Sequence, residues 1–205
     1  MNVAPPIAKP GNGVSSRAFA PTSTLRRVYH ATRGLCDRVL HRRRYLTARR
    51  RLSTTPRPRR ILVVCYGNIC RSPYLQAVLQ RSLPDIAVTS AGFVGSDRGV
   101  PQNSVSVSAE RGLDLSRYRS RPITQAGASD ADLVVVMDAE QARRVASTFR
   151  VKRNRILIAG DLDPTFETSR AIRDPWNQTI EVFKASFDRL DRCAATLVSA
   201  LRPTK

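Results

Sequence analysis

Residues Ile61 to Gln80, ILVVCYGNICRSPYLQAVLQ, constrain the fold of this chain more than any other stretch. Ile61 to Val64 are apolar and mostly β-branched and read as a strand buried in a parallel sheet, while from Ser72 onward Leu75, Val78 and Leu79 recur at helical spacing. The connecting loop, Cys65 to Arg71, begins with a thiol and ends with a guanidinium. It carries Gly67 and Asn68, residue types that tolerate a left-handed backbone. A loop curled between a strand end and a helix N-terminus turns its N–H groups towards one point, and the helix dipole adds positive potential there. The loop is therefore expected to hold an anion such as phosphate, surrounded by Tyr66, Gly67, Asn68, Ile69, Cys70, Arg71 and Ser72. At its rim, the planar fork of Arg71 suits two phosphate oxygens at once, as a lysine would not. Cys65 would lie beneath, acidified into the range of roughly 3.5 to 7.5 of activated thiols. The competing reading is that Cys65 packs as a small buried hydrophobe.

The rest of the chain supplies a scaffold for that loop. Ile86 to Ser90, Asp132 to Met137 and Arg155 to Ala159 read as further strands. Helices are expected over Asn103 to Arg111, closing at Gly112, from about Asp138, and from Gln178 to Leu201, where Ile180, Phe183, Phe187, Leu190 and Ala194 fall at core spacing. Strands alternating with helices make βαβ units. The fold class is accordingly α/β: three layers, with a four-stranded parallel sheet between helices on both faces and the phosphate loop after the first strand. Just before the last helix stands Asp174-Pro175-Trp176. Cleaving a phosphate ester needs a proton for the leaving oxygen, and a carboxylic acid near the loop supplies one; as a bare dipeptide Asp-Pro is equally a turn start.

The string VCYGNICRSP, Val64 to Pro73, closely resembles the motif of the low-molecular-weight protein tyrosine phosphatases, including the Cys-x5-Arg spacing and the Ser-Pro after it. The triplet Ser90-Ala91-Gly92, the segment Leu113 to Thr124 and Asp174-Pro175-Trp176 are similar to the same family, so the resemblance covers Ile61 to Leu201. It implies a phosphotyrosine hydrolase working through a cysteinyl-phosphate: Cys65 as nucleophile, Arg71 binding phosphate and stabilising the transition state, and Asp174 as general acid then base. By the same resemblance Ser72 bonds the sulfur, Tyr66 and Trp176 flank the substrate ring, and Ser90 supports Asn68. Tyr118 stands where many members carry a histidine of the supporting network, and a tyrosine still donates a hydrogen bond. The resemblance also implies that Cys70 traps an oxidised Cys65 as a disulfide, against the reading that Cys70 packs beneath the loop. No metal and no cofactor is expected, because Arg71 and the loop amides supply the positive charge.

Three alternatives stand beside this reading. An arsenate reductase of the same fold needs further redox cysteines near the site, and only Cys193 is left in the domain. Phosphoarginine phosphatases usually carry Thr where this chain has Ile69, whose apolar branch offers that substrate's guanidinium no hydroxyl. A non-catalytic phosphotyrosine-binding module would not need Cys65, Arg71 and Asp174 together.

Net charge divides the chain. The 205 residues carry a formal +19, of which residues 1–60 hold +14. Residues 1–58 are read as a basic extension, disordered or partly helical, ahead of a phosphatase domain at 59–205. Leu25, Val28, Thr32, Leu35 and Val39 fall near one helical face ringed by arginines, a pattern that suits an anionic membrane or nucleic acid, though a run like this is more often a solvated tail. The same composition fits an organelle transit peptide, and no apolar run is long enough to span a membrane. Cys36, Cys65, Cys70 and Cys193 show neither disulfide-framework nor zinc spacing, which suggests a reducing, cytoplasmic setting. A phosphotyrosine protein, such as the bacterial tyrosine kinase of polysaccharide export that many family members act on, is the partner the resemblance implies.

Overall fold

A computed structural model describes residues 23–202, with side chains from residue 36. In chain order the elements are α1 (Ser23–Thr54), β1 (Arg60–Cys65), α2 (Arg71–Ser82), β2 (Ala87–Gly92), α3 (Gln102–Ala109), α4 (Gln125–Asp130), β3 (Leu133–Val136), α5 (Ala139–Thr148), β4 (Ile156–Ile158) and α6 (Ile180–Leu201). The four strands form one parallel sheet in the order β2-β1-β3-β4. The chain divides into two units, Met1–Cys36 and Asp37–Lys205, and the sheet with its covering helices belongs to the second.

Alternation along β1 sorts the core into two layers, because successive strand side chains point to opposite faces. Ile61, Val63 and Cys65 join Tyr74, Leu75 and Leu79 of α2 and Phe183, Phe187 and Leu190 of α6. Leu62 and Val64 join Ala128 of α4 and Val145 of α5 on the other face. Every residue of β3 is buried, as befits a central strand covered on both sides. Tyr74 stacks on Phe187 with ring centroids 3.9 Å apart, which clamps α2 to α6. β1 lies between β2 and β3, so the strand order reverses at its carboxyl end, where α/β sheets open a crevice. The Cys65 loop leaves β1 at that point.

Some elements differ from expectation. α4 has no counterpart among the expected helices: QAGASD spans under two turns and carries no apolar periodicity, and its start is set by Thr124, whose Oγ1 accepts from the Gly127 N–H at 3.1 Å. α3 closes at Ala109, three residues before the expected cap Gly112, which has φ +69° in the turn beyond. Of the basic helical face proposed for membrane or nucleic acid, Leu25, Val28, Thr32 and Leu35 lie outside the described side chains, and Val39 is exposed. The last turns of α1 contribute Ala48 and Leu52 to the larger core cluster, so the end of the segment read as a basic extension packs on the sheet's helices. Among the described residues no helix is long and apolar enough to cross a membrane.

Candidate active site

The loop after β1 closes over its own first residue. Cys65 is buried, and its Sγ accepts from the Asn68 N–H at 3.2 Å and from the Ser72 hydroxyl at 3.0 Å. The N–H groups of Gly67, Ile69, Cys70 and Arg71 donate to no acceptor among the described residues, as the first amides of a helix and its approach do when they face an anion site. Arg71, at the first position of α2, is 4% exposed, and its Nε is buried without a partner. A buried donor of a charged group left unmatched is costly, and a phosphate oxygen is the acceptor that chemistry calls for. Cys65, Tyr66, Gly67, Ile69, Cys70, Arg71, Asp174 and Trp176 border one cavity of about 110 Å³. Tyr66 and Trp176 stand at its mouth about half exposed, at 52% and 53%, unusual for large rings and suited to gripping a flat group.

Asn68 holds the loop in shape. Its φ is +52°, and its side-chain amide meets four partners: Nδ2 donates to Ser72 Oγ at 2.9 Å and Ser90 Oγ at 3.0 Å, while Oδ1 accepts from the Tyr118 hydroxyl and the Arg121 N–H, each at 2.8 Å. Because Ser72 Oγ accepts from Asn68, its own proton is free to point at the sulfur. Burial raises the Tyr118 phenol above its ordinary value, so it stays protonated as a donor. The same cause, burial, raises the Cys70 thiol, with the neighbouring charges of Cys65 and Asp174 adding to it; Cys70 sits as a neutral group under the loop.

Asp174 reaches the loop because α6 holds the chain ahead of it. Asp163, fully buried, accepts from Arg189 Nε at 3.0 Å and from Arg192 Nε and Nη2, both at 2.9 Å. Arg189 also donates to the carbonyls of Ala171 at 2.8 Å and Ser169 at 2.7 Å, and the Ser186 hydroxyl donates to that of Arg173 at 3.0 Å. With its backbone fixed at these points, the segment delivers the Ile172 carbonyl to Arg71 Nη1 at 3.0 Å and the Asp174 carboxylate to Arg71 Nη2. The Asp174 side chain is 46% exposed, so it faces both the cavity and solvent.

Known proteins share this outline. A family model described as low molecular weight phosphotyrosine protein phosphatase matches residues 60–205. The chain belongs to this family. It is 36% identical over 144 residues to a probable low molecular weight protein-tyrosine-phosphatase, EpsP, of Ralstonia nicotianae, covering 69% of this chain and 95% of that one. It is 35% identical to the low molecular weight protein-tyrosine-phosphatase Wzb of Escherichia coli K12, covering 69% and 94%. Among solved structures, the tyrosine phosphatase AmsI of Erwinia amylovora superposes with TM-score 0.66 at 27% identity, covering 73% of this chain and 97% of that one. The YwlE arginine phosphatase of Geobacillus stearothermophilus superposes with TM-score 0.64 at 28% identity, covering 70% and 93%.

Three residues at the site of this phosphatase domain are given no role by the sequence. A Cβ at Gly92 would lie 2.8 Å from the Asn68 nitrogen and 2.9 Å from the Gly67 carbonyl carbon, so glycine lets β2 approach the loop. Gln76 accepts from the Ser90 hydroxyl at 2.6 Å. Arg98 donates to the Gly67 carbonyl at 2.7 Å and borders the cavity. Gly92 is visible in the Ser-Ala-Gly triplet; Gln76 and Arg98 carry no local signal, because their partners are distant in the chain.

Proposed function

We propose that this protein hydrolyses phosphotyrosine in proteins through a cysteinyl-phosphate, with Cys65 as nucleophile, Arg71 as phosphate ligand and Asp174 as general acid and base. The observation that carries the reading is the convergence on one sulfur of two donors, Asn68 N–H and Ser72 Oγ, beneath a buried Arg71 Nε that has no protein acceptor. Substrate phosphate accepts from the loop amides and Arg71, which hold its oxygens and offset the charge that spreads over them. Sγ forms a bond to phosphorus as the bond to the phenolic oxygen breaks, and Asp174 gives that oxygen its proton. Water then attacks the phosphocysteine, Asp174 takes its proton, the S–P bond breaks, and orthophosphate leaves. The Ser72 hydroxyl steadies the departing thiolate. Tyr66 and Trp176 sandwich the substrate ring, a role that the short side chain of phosphoserine could not use.

Ile69 sets the choice between tyrosine and arginine substrates. It borders the cavity with an apolar branch, which favours the aryl group over a guanidinium needing hydroxyl partners. An autophosphorylating bacterial tyrosine kinase of polysaccharide export is the proposed physiological substrate, as the resemblance to the family implies, and a reducing compartment such as the cytoplasm is the proposed setting, since the nucleophilic sulfur must stay reduced. The assay compares aryl phosphate hydrolysis by the wild type, Cys65→Ser and Asp174→Ala. Activity is expected to vanish in the first and to fall about 10²- to 10⁴-fold in the second, as loss of general acid catalysis does. Phosphotyrosine peptides are expected to turn over ahead of phosphoserine and phosphoarginine peptides. Full activity in Cys65→Ser, or preference for phosphoarginine, overturns the reading.

A further inference from the structure

A groove of about 540 Å³ lies where the last turns of α1 meet α5, β4 and the turn after β4, and it shares no residue with the cavity around Cys65. Its size is in the range of small-molecule sites. Six guanidinium groups border it, those of Arg43, Arg44, Arg51, Arg143, Arg153 and Arg170, against the single carboxylate of Asp161. That carboxylate is already engaged by Arg170, whose Nε donates to it at 2.6 Å. The other five side chains make no ion pair and no hydrogen bond among the described residues.

Arg51 separates this cluster from a solvated basic surface. Its Nη2 is buried and has no hydrogen-bond partner. Burial also lowers its pKa from the ordinary arginine value, only partly offset by Asp161. Arg43, Arg44, Arg143 and Arg153 are exposed, so the unmet donor is the one buried nitrogen of the half-buried Arg51, set beside four like charges that have no carboxylate partner; a multivalent anion relieves both the unmatched donor and the crowding of like charge. The cations are all arginine, whose fork matches two phosphate oxygens where lysine offers a point charge. No aromatic ring borders the groove, so there is no stacking platform for a nucleobase.

We propose that this groove is a second, non-catalytic anion site that binds a small anion carrying two or more phosphate groups. Such chemistry reaches the protein either as a soluble polyphosphorylated compound or as a polyphosphorylated lipid headgroup. The site depends on α1, and so belongs to this chain rather than to the domain matched by the family model at residues 60–205.

The test uses the full chain with orthophosphate present to occupy the Cys65 loop. Inorganic tripolyphosphate is titrated in by calorimetry against the wild type, Arg51→Gln, Arg143→Gln and Arg153→Gln, with Arg50→Gln as a variant that removes the same charge from α1 outside the groove. The expected result is one site per chain, weakened tenfold or more by each groove substitution and less than twofold by Arg50→Gln, with aryl phosphate turnover unchanged in Arg143→Gln and Arg153→Gln. Those two variants carry the test if the more buried Arg51→Gln fails to fold, which its thermal melt reports. Equal weakening by Arg50→Gln, or binding of many anions per chain, overturns the proposal by reducing it to general attraction to a basic segment. A second arm sediments the protein with vesicles of phosphatidylcholine containing either a polyphosphorylated inositol lipid or phosphatidylserine. Binding to the first alone that requires Arg143 and Arg153 supports the site with the lipid headgroup as its source, and tripolyphosphate binding without it supports the site with a soluble source.

Discussion

At the scale of single residues, the loop around Cys65 is a problem in supporting one asparagine. Asn68 adopts a left-handed backbone, and all four hydrogen-bonding positions of its amide are matched by residues that approach from α2, β2 and the segment before α4. Removing the Tyr118 hydroxyl leaves Asn68 Oδ1 with only the Arg121 N–H. Tyr118→Phe is therefore expected to cost about 1 kcal/mol of stability, the net worth of one such bond. Because the loss falls on the loop, kcat on an aryl phosphate should drop while the fold persists, measured by steady-state kinetics beside a urea melt. Gly92→Ala is expected to do more. Its Cβ would press on backbone atoms of Gly67 and Asn68, which cannot rotate away, so the loop itself must move. Loss of more than about tenfold in kcat/KM is expected, since small misplacements at a reacting centre cost on the order of 10²-fold. Arg98, by contrast, touches the loop through a flexible side chain, and sequence alone offers no reason to single it out.

At the scale of elements, two connections matter, one for the placement of Asp174 and one for stability. The chain between β4 and α6 has no regular secondary structure after its first turn, yet it must present Asp174 to Arg71. The Asp163 carboxylate with Arg189 and Arg192 does this from inside the protein. Asp163→Asn leaves two guanidinium groups facing a neutral amide, and breaking a buried ion pair from one side costs about 3–5 kcal/mol. Denaturant unfolding should show that loss, and kcat should fall because Ala171 and Ser169 lose their anchor. α1 is the second connection. Its last turns bury Ala48 and Leu52, so Leu52→Ala is expected to destabilise the protein by about 2–5 kcal/mol in the same measurement. Removing residues 1–36, which lie in the other unit, should leave the melt and the turnover of a small aryl phosphate unchanged. The charge distribution could not place this boundary, because basic residues continue through the buried turns of α1.

At the scale of the whole molecule, acid stability follows from the buried carboxylate. Asp163 is held below the ordinary carboxylate value; burial opposes this, but hydrogen bonds from Arg192, the Thr165 N–H and Arg189 outweigh it. A carboxyl lowered in the folded state binds its proton less tightly there than in the unfolded chain, so the stability it confers is complete above the unfolded value of about 3.9. That contribution is lost as pH falls through the lower folded value. Unfolding monitored by circular dichroism between about pH 5 and pH 2 should steepen in this window, and Asp163→Asn should flatten it.

How much of this is legible in the sequence depends on range along the chain. Strand, anion loop and first helix are readable from Ile61 to Gln80, because alternation, helical spacing and loop chemistry are written within a few residues of one another. The pairing of Cys65 with Ser72 and of Asn68 with its loop lies in the same short stretch. What the chain order leaves open is every relation across the fold: that Gly92 must lack a side chain because β2 runs beside the loop, that Arg189 from α6 steadies the approach to Asp174, and that α1 brings three arginines to face Arg143, Arg153 and Arg170 across one groove. Those relations arise only when parallel strands and their crossovers bring distant residues to one edge of the sheet, and no local pattern encodes a neighbour a hundred residues away.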